Sequence, residues 1–159
     1  MSRAAESNPS GPRRALIVAS RFNEGVTQRL ADGARASLAE AGYDEERVDV
    51  VWVPGAFELP VAVHRALATG RYELAVALGA VIRGETPHFD YVAGAAAHGL
   101  ADVATRHGTP VGFGLLTCDT LAQALARAGG EAGNKGEEAA RAAVETLRAV
   151  QRLETSAPD

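Results

Sequence analysis

Short aliphatic runs alternate along this chain with longer stretches in which apolar residues recur every three or four positions. Ala15-Leu16-Ile17-Val18-Ala19, Val48-Asp49-Val50-Val51-Trp52-Val53, Leu74-Ala75-Val76-Ala77-Leu78 and Val111 to Leu116 have the length of strands. Their apolar continuity is that of strands covered on both faces. Val26, Leu30, Ala34 and Leu38 mark a helix ended by Gly42, and Val63 and Leu67 mark one begun at Pro60 and ended by Gly70. Val92, Ala96, Leu100 and Val103 mark a third. Two more helices are expected from about Leu121 to Ala128 and from Glu137 to Leu153, separated by the glycine-rich run Gly129 to Gly136. Strands joined through helices must pair in parallel by right-handed crossovers, with helices on both sheet faces. The pattern predicts an α/β fold, a three-layer α/β/α sandwich on a four-stranded parallel sheet.

At 159 residues the chain suits one domain. A domain of that size buries roughly 68–70% of its unfolded surface and needs no disulfide or structural metal. Only 5% of residues are aromatic, so Ala, Val and Leu must build the core. The expected organisation is a flexible N-terminal segment over 1–12, one domain over 13–153 and a C-terminal tail over 154–159.

Composition also removes several kinds of function. A formal charge of −4 offers no electrostatic surface for nucleic acid, and Arg13 and Arg14 alone make no binding arm. The single cysteine, Cys118, excludes an internal disulfide framework and suits a reducing compartment. With no apolar stretch of spanning length and no signal-like segment, a soluble cytoplasmic protein is expected, without a membrane partner. Gly133-Asn134-Lys135-Gly136 lacks the Gly-Lys-Ser/Thr of a P-loop, and Gly112-Phe113-Gly114 lacks the third glycine of a dinucleotide fingerprint. No ligand spacing for zinc and no nucleophile elbow occurs. Neither a metal nor a nicotinamide cofactor is expected.

In a parallel sheet, ligands bind beyond the carboxyl ends of the strands. Those ends are Ser20 to Glu24, Pro54 to Pro60, Val81 to His88 and Thr117 to Asp119, and reactive residue types gather there. Thr86-Pro87 has the form of an N-cap and first helical residue, with Gly84 allowing a close turn before it. Such a place attracts phosphate through free amides and the helix dipole; it reads equally as an ordinary capped helix. His88 falls in the first turn, where the dipole favours the neutral ring that accepts a proton near neutral pH. A lone histidine is otherwise a surface or satisfied residue, and His64, His98 and His107, away from the strand-end loops, read as structural or solvated. Glu58, beside Phe57 between two prolines, suits either the hydroxyls of a polyol or the start of a helix. Phe22 can stack on a flat heterocycle or merely cover the core. Arg127 and Lys135 supply cations, of use to a phosphate or simply solvated at helix ends.

Read together, Val53-Pro54-Gly55-Ala56-Phe57-Glu58, Gly79-Ala80-Val81-Ile82-Arg83-Gly84-Glu85-Thr86-Pro87-His88-Phe89-Asp90 and Ala132-Gly133-Asn134-Lys135-Gly136 resemble the lumazine synthase family in order and spacing. The likeness runs from Ala15 to about Val150. It implies a flavodoxin-like topology and a transferase of riboflavin biosynthesis. The family condenses 5-amino-6-ribitylaminouracil with 3,4-dihydroxy-2-butanone 4-phosphate to 6,7-dimethyl-8-ribityllumazine, releasing phosphate. By that resemblance Phe22 would stack on the pyrimidine while backbone groups of Ala56, Val81 and Ile82 hold its polar edge. Glu58 would bind ribityl hydroxyls, and Gly84, Glu85 and Thr86 would cradle phosphate with help from Arg127. His88 would move protons. Gly55, Phe57, Arg83, Phe113 and Lys135 are further expected substrate contacts, in a pocket shared between adjacent subunits.

The family forms homopentamers, and some members stack twelve of them into an icosahedral capsid. The short run Gly129 to Gly136 is that of shell-forming members, so a pentamer and a shell are expected, with riboflavin synthase as a candidate partner. Three positions depart from the family pattern. Pro87 replaces a small hydroxyl residue, Glu131 replaces a frequent cation, and Gly112 replaces a branched aliphatic, which is expected to loosen the fourth strand. The alternative function is a non-catalytic flavin-binding or shell-forming paralogue.

Overall fold

The computed structural model describes residues 13–155, so the segment read as a flexible leader, 1–12, and positions 156–159 lie outside the described residues. Four parallel strands form the central sheet: β1 (Arg14–Ser20), β2 (Val48–Val53), β3 (Tyr72–Ile82) and β4 (Val111–Cys118), in the order β2-β1-β3-β4. The crossovers are α1 (Glu24–Glu40), α2 (Leu59–Leu67) and α3 (His88–His107); α4 (Leu121–Ala126) and α5 (Lys135–Thr155) follow β4. This is the order of a flavodoxin-like sheet, whose switch point lies between β1 and β3.

Period-two alternation decides which side each strand residue faces. Ala15, Ile17 and Ala19 of β1 join Leu74, Val76 and Leu78 of β3 in one apolar cluster with α1 and α5. Leu16 and Val18, with Ala75 and Ala77, pack on the other face against Leu59, Val63 and Leu67 of α2 and Ala96, Leu100 and Val103 of α3. Three layers result, as the alternating pattern predicts. In α1 the four residues spaced by four, Val26, Leu30, Ala34 and Leu38, are all buried. Each leucine so placed contributes about 1.5–3 kcal/mol relative to an exposed one. β2, by contrast, is a half-buried edge, with Val51 exposed.

Arg14 ties this edge to the centre of the sheet. Its Nε donates to Asp49 Oδ2 at 3.0 Å and its NH2 to Asp49 Oδ1 at 2.7 Å, while the Tyr72 hydroxyl also donates to Asp49 Oδ2 at 2.7 Å. The Arg14 hydrogen bonds hold the Asp49 carboxyl below its ordinary value, against the opposing effect of burial.

Several boundaries differ from the sequence reading. The fourth helix stops at Ala126, and a small antiparallel hairpin, β5 (Ala128–Gly130) and β6 (Gly133–Asn134), replaces the expected glycine-rich loop. α5 begins at Lys135 and runs through Thr155, so Glu154 and Thr155, read as tail, are helical. Thr86 is not the cap of α3. Pro87 occupies that position, and Thr86 Oγ1 accepts only a long 3.5 Å contact from the His88 amide.

Gly112 does not loosen β4. It is buried under α5, and a Cβ there would collide with the carbonyl oxygen of Ala139 and lie 2.9 Å from its carbonyl carbon. A side chain at this point is incompatible with so close a helix, so the missing Cβ lets α5 seat on the sheet.

Candidate active site

The sheet ladder continues past the ends of β1 and β2. The Arg21 amide donates to Val53 O at 2.7 Å and the Phe22 amide to Pro54 O at 3.0 Å, which fixes Phe22 beside the second loop. Asn23 then takes a left-handed conformation, with φ 62, at the start of α1. Its Nδ2 donates to Ala80 O at 2.9 Å, bonding the Phe22 loop to the end of β3. Asn tolerates this backbone region better than most residues, so Asn23 carries a positioning role that the sequence reading missed.

A cavity of about 740 Å³ opens where these ends converge. Phe22 lines it from β1, and Pro54, Gly55, Ala56, Phe57 and Glu58 line it from β2. Ala80, Val81, Ile82, Gly84 and Thr86 come from β3 and its loop, and His88, Phe89, Tyr91 and Val92 come from α3. Ten of the site residues expected from sequence thus share one crevice at the switch point. Phe22, Phe57 and Tyr91 stand exposed around it, forming an apolar rim. Tyr91, and Val92 which the sequence marks only as part of the helix, are lining residues the sequence reading did not assign to the site, although their spacing of three and four from His88 puts them on its helical face.

Polar groups are few and well placed. The Glu58 carboxylate folds over Gly55, its Oε1 3.2 Å from where a Cβ would stand, with no hydrogen-bond partner among the described residues. Next to it, the amides of Gly84, Glu85 and Thr86 donate to no group among the described residues. His88 follows as the exposed first residue of α3. Free amides before a helix N-terminus suit anions, and the crevice brings such amides together with an imidazole, a carboxylate and an aromatic face.

Three expected residues lie elsewhere. Phe113, Arg127 and Lys135 line a second, smaller cavity of about 360 Å³ with Cys118 and Glu138. Thr120 and Gln123 form a capping box that starts α4, and Arg127 ends it, its NH1 donating to Gln123 O at 3.1 Å. Burial raises the Cys118 thiol, partly opposed by the Arg127 charge, which leaves it protonated and a poor nucleophile. The side chains of Arg83 and Glu85 line neither cavity. His64 and His107, read as structural or solvated, are hydrogen-bonded to each other, Nδ1 to Nε2 at 2.9 Å.

Among the described residues no group of three or more His, Cys, Asp or Glu is placed to hold a metal ion, and no helix is long and apolar enough to cross a membrane.

Fold and crevice together define an α/β protein with a small-molecule-sized crevice at the carboxyl edge of a parallel sheet, walled by aromatic and aliphatic side chains. Comparison with known proteins narrows this class: residues 12–151 match the model of the 6,7-dimethyl-8-ribityllumazine synthase family, and the chain belongs to that family. The protein of that name from Gemmatimonas aurantiaca is 61% identical over 135 residues, covering 85% of this chain and 82% of the relative. That from Desulfovibrio desulfuricans is 51% identical, covering 88% and 90%. A Campylobacter curvus relative is 46% identical, covering 91% and 92%.

Proposed function

We propose that this chain condenses 5-amino-6-ribitylaminouracil with 3,4-dihydroxy-2-butanone 4-phosphate, forming 6,7-dimethyl-8-ribityllumazine and inorganic phosphate. The observation that carries the proposal is the single crevice lined by Gly84 and Thr86, whose amides are unpaired among the described residues, together with His88, Phe22 and Glu58.

Phe22 stacks on the pyrimidine, and backbone groups of Ala56, Val81 and Ile82 meet its polar edge. Glu58 accepts hydrogen bonds from ribityl hydroxyls. The 5-amino nitrogen attacks the butanone carbonyl, and water leaves to give an imine. Proton removal next to the imine then expels phosphate and leaves an enol, which takes up a proton at its terminal carbon to become a ketone; attack of the ribityl-bearing nitrogen on that carbonyl closes the second ring with loss of water. His88 stands where it can carry these protons. Orientation of two bound substrates supplies much of the remaining acceleration.

The second cavity supports a shared site. Phe113, Arg127 and Lys135 complete the crevice of a neighbouring copy, and Arg127 grips the phosphate bidentately. A homopentamer follows, with twelve pentamers closing into a capsid and riboflavin synthase as a partner in the cytoplasm. Glu85 contributes its amide and not its carboxylate.

The test mixes purified protein with both substrates and follows lumazine fluorescence together with phosphate release. Equimolar product and phosphate are expected. Tight flavin binding without either product would replace this reading with that of a non-catalytic paralogue, and native mass spectrometry reads the assembly independently.

A further inference from the structure

Arg83 sits between the two cavities without entering either. Its amide donates to Cys118 O at 2.8 Å and so extends the β3–β4 ladder by one residue. Its side chain turns the other way and makes three contacts at once. The Nε donates to Asp119 Oδ1 at 2.9 Å, NH1 lies 4.0 Å from Asp90 Oδ1, and the guanidinium carbon is 4.5 Å from the centre of the Phe89 ring. Phe89 is itself buried, and Asp90 belongs to the first turn of α3.

One residue therefore holds both ends of the loop 84–87. Its backbone anchors the loop where it leaves the sheet, and its guanidinium grips the helix turn where the loop ends. Within that clasp lie the unpaired amides and the start of the helix that carries His88. A second series of contacts leads away from it. The Asp119 amide donates to Gln123 Oε1 at 2.8 Å, and the Gln123 carbonyl accepts from Arg127 NH1.

We infer that Arg83 is a positioning residue, which sets the shape of the anion cradle and the place of His88 while Asp119 fixes its own orientation. The inference rests on the synthase reading for its catalytic consequence, and on the cradle alone for its effect on anion binding. A planar guanidinium is suited to the task because it stacks on a ring and donates to carboxylates in fixed directions, which an ammonium does not. Both ion pairs are half exposed or more. Such pairs add little to folding stability, so the geometric role separates from a structural one.

The experiment is a double-mutant cycle of Arg83→Gln and Asp119→Asn on the assembled protein, with Arg83→Lys as a third variant. Turnover, the KM of each substrate, inorganic phosphate affinity by calorimetry, melting temperature and assembly size are all read. Arg83→Gln should lower kcat about tenfold, since small misplacements of reacting groups are costly, and should weaken phosphate binding several-fold, with melting and assembly nearly unchanged. The KM of the uracil substrate, bound by Phe22 and Glu58, should move little. Asp119→Asn should show a smaller loss of the same kind, and that loss should vanish when Arg83 is already Gln. Arg83→Lys should recover part of the phosphate affinity and less of kcat.

Asp119→Asn leaving kcat and phosphate affinity at parental values would overturn the inference, because Arg83 would then act without its orienting partner. Equal losses from Asp119→Asn in both backgrounds would overturn it as well. If the parent protein makes no lumazine, the synthase reading fails, and the phosphate arm of the cycle still decides the role of Arg83.

Discussion

Gly112→Ala offers a test in which two accounts of one residue predict opposite signs. Gly112 pairs with Val76 inside the sheet and lies beneath the first turns of α5. If its only effect were to loosen β4, adding a methyl would restore about 0.5–1 kcal/mol of backbone entropy and strand preference. The structure places that methyl 2.9 Å from the carbonyl carbon of Ala139 and nearer still to its oxygen. Both atoms are backbone, so no side chain can turn away. Relief requires lifting a helix that buries Ala139, Ala140, Ala143 and Val144. Overpacking of this kind costs about 1–3 kcal/mol. Set against the entropic gain, the net change for Gly112→Ala is a loss of about 1–2 kcal/mol, and Gly112→Val loses more. Urea unfolding at one fixed protein concentration reads it, because assembly alters apparent stability. With a slope of about 2 kcal/mol/M, the midpoint should fall by roughly 0.5–1 M. A midpoint unchanged or raised in Gly112→Ala would refute the packing argument.

Three further outcomes follow from the site and the edge strand. His88→Ala should reduce kcat by about 10²-fold, the low end for a lost proton carrier, without a comparable loss of stability because the ring is exposed; steady-state fluorescence and thermal melting measure the two. Arg127→Ala should raise the KM for the phosphate substrate by about tenfold or more, as the loss of a charge-assisted contact predicts, while the KM for the uracil substrate stays near its parental value. Asp49→Asn should be less stable than the parent at neutral pH. The folded Asp49 carboxyl lies below its ordinary 3.8 because of Arg14, so its contribution is complete above that value and is lost as pH falls through the lower folded one. The two proteins should thus converge in acid denaturation once the pH has fallen below the lowered folded value.

The sheet was legible because each strand carries its own signal in consecutive residues. β3 was read too short, from Leu74 to Leu78, because its last residues include Gly79 and Ala80, which lack β-branched side chains. The β5–β6 hairpin left no trace, since strands of three and two residues rich in glycine have no side-chain period to detect. The first crevice could be anticipated because its walls are strand ends, and strand ends follow from strand positions. What the residues alone could not show is which side chains face each other across long separations. Arg83 and Asp119 are an example, and so is the placing of Arg127 and Lys135 on a different cavity from His88. Asn23 carried no readable signal either, because its partner is the Ala80 carbonyl, 57 residues away.

Because β1 lies between β2 and β3, the pocket is incomplete until β3 has paired onto the far side of β1. An emerging N-terminal half can pair β1 with β2 and cover one side with α1, leaving the other side of both strands wet. Closing β3 onto β1 then spans a long stretch of chain, and such closures spend entropy before their contacts repay it. The ligand crevice comes into being only with that late docking. A molecule held between Phe22 and Ile82 would bridge the ends of β1 and β3 and so should protect that central seam against local opening.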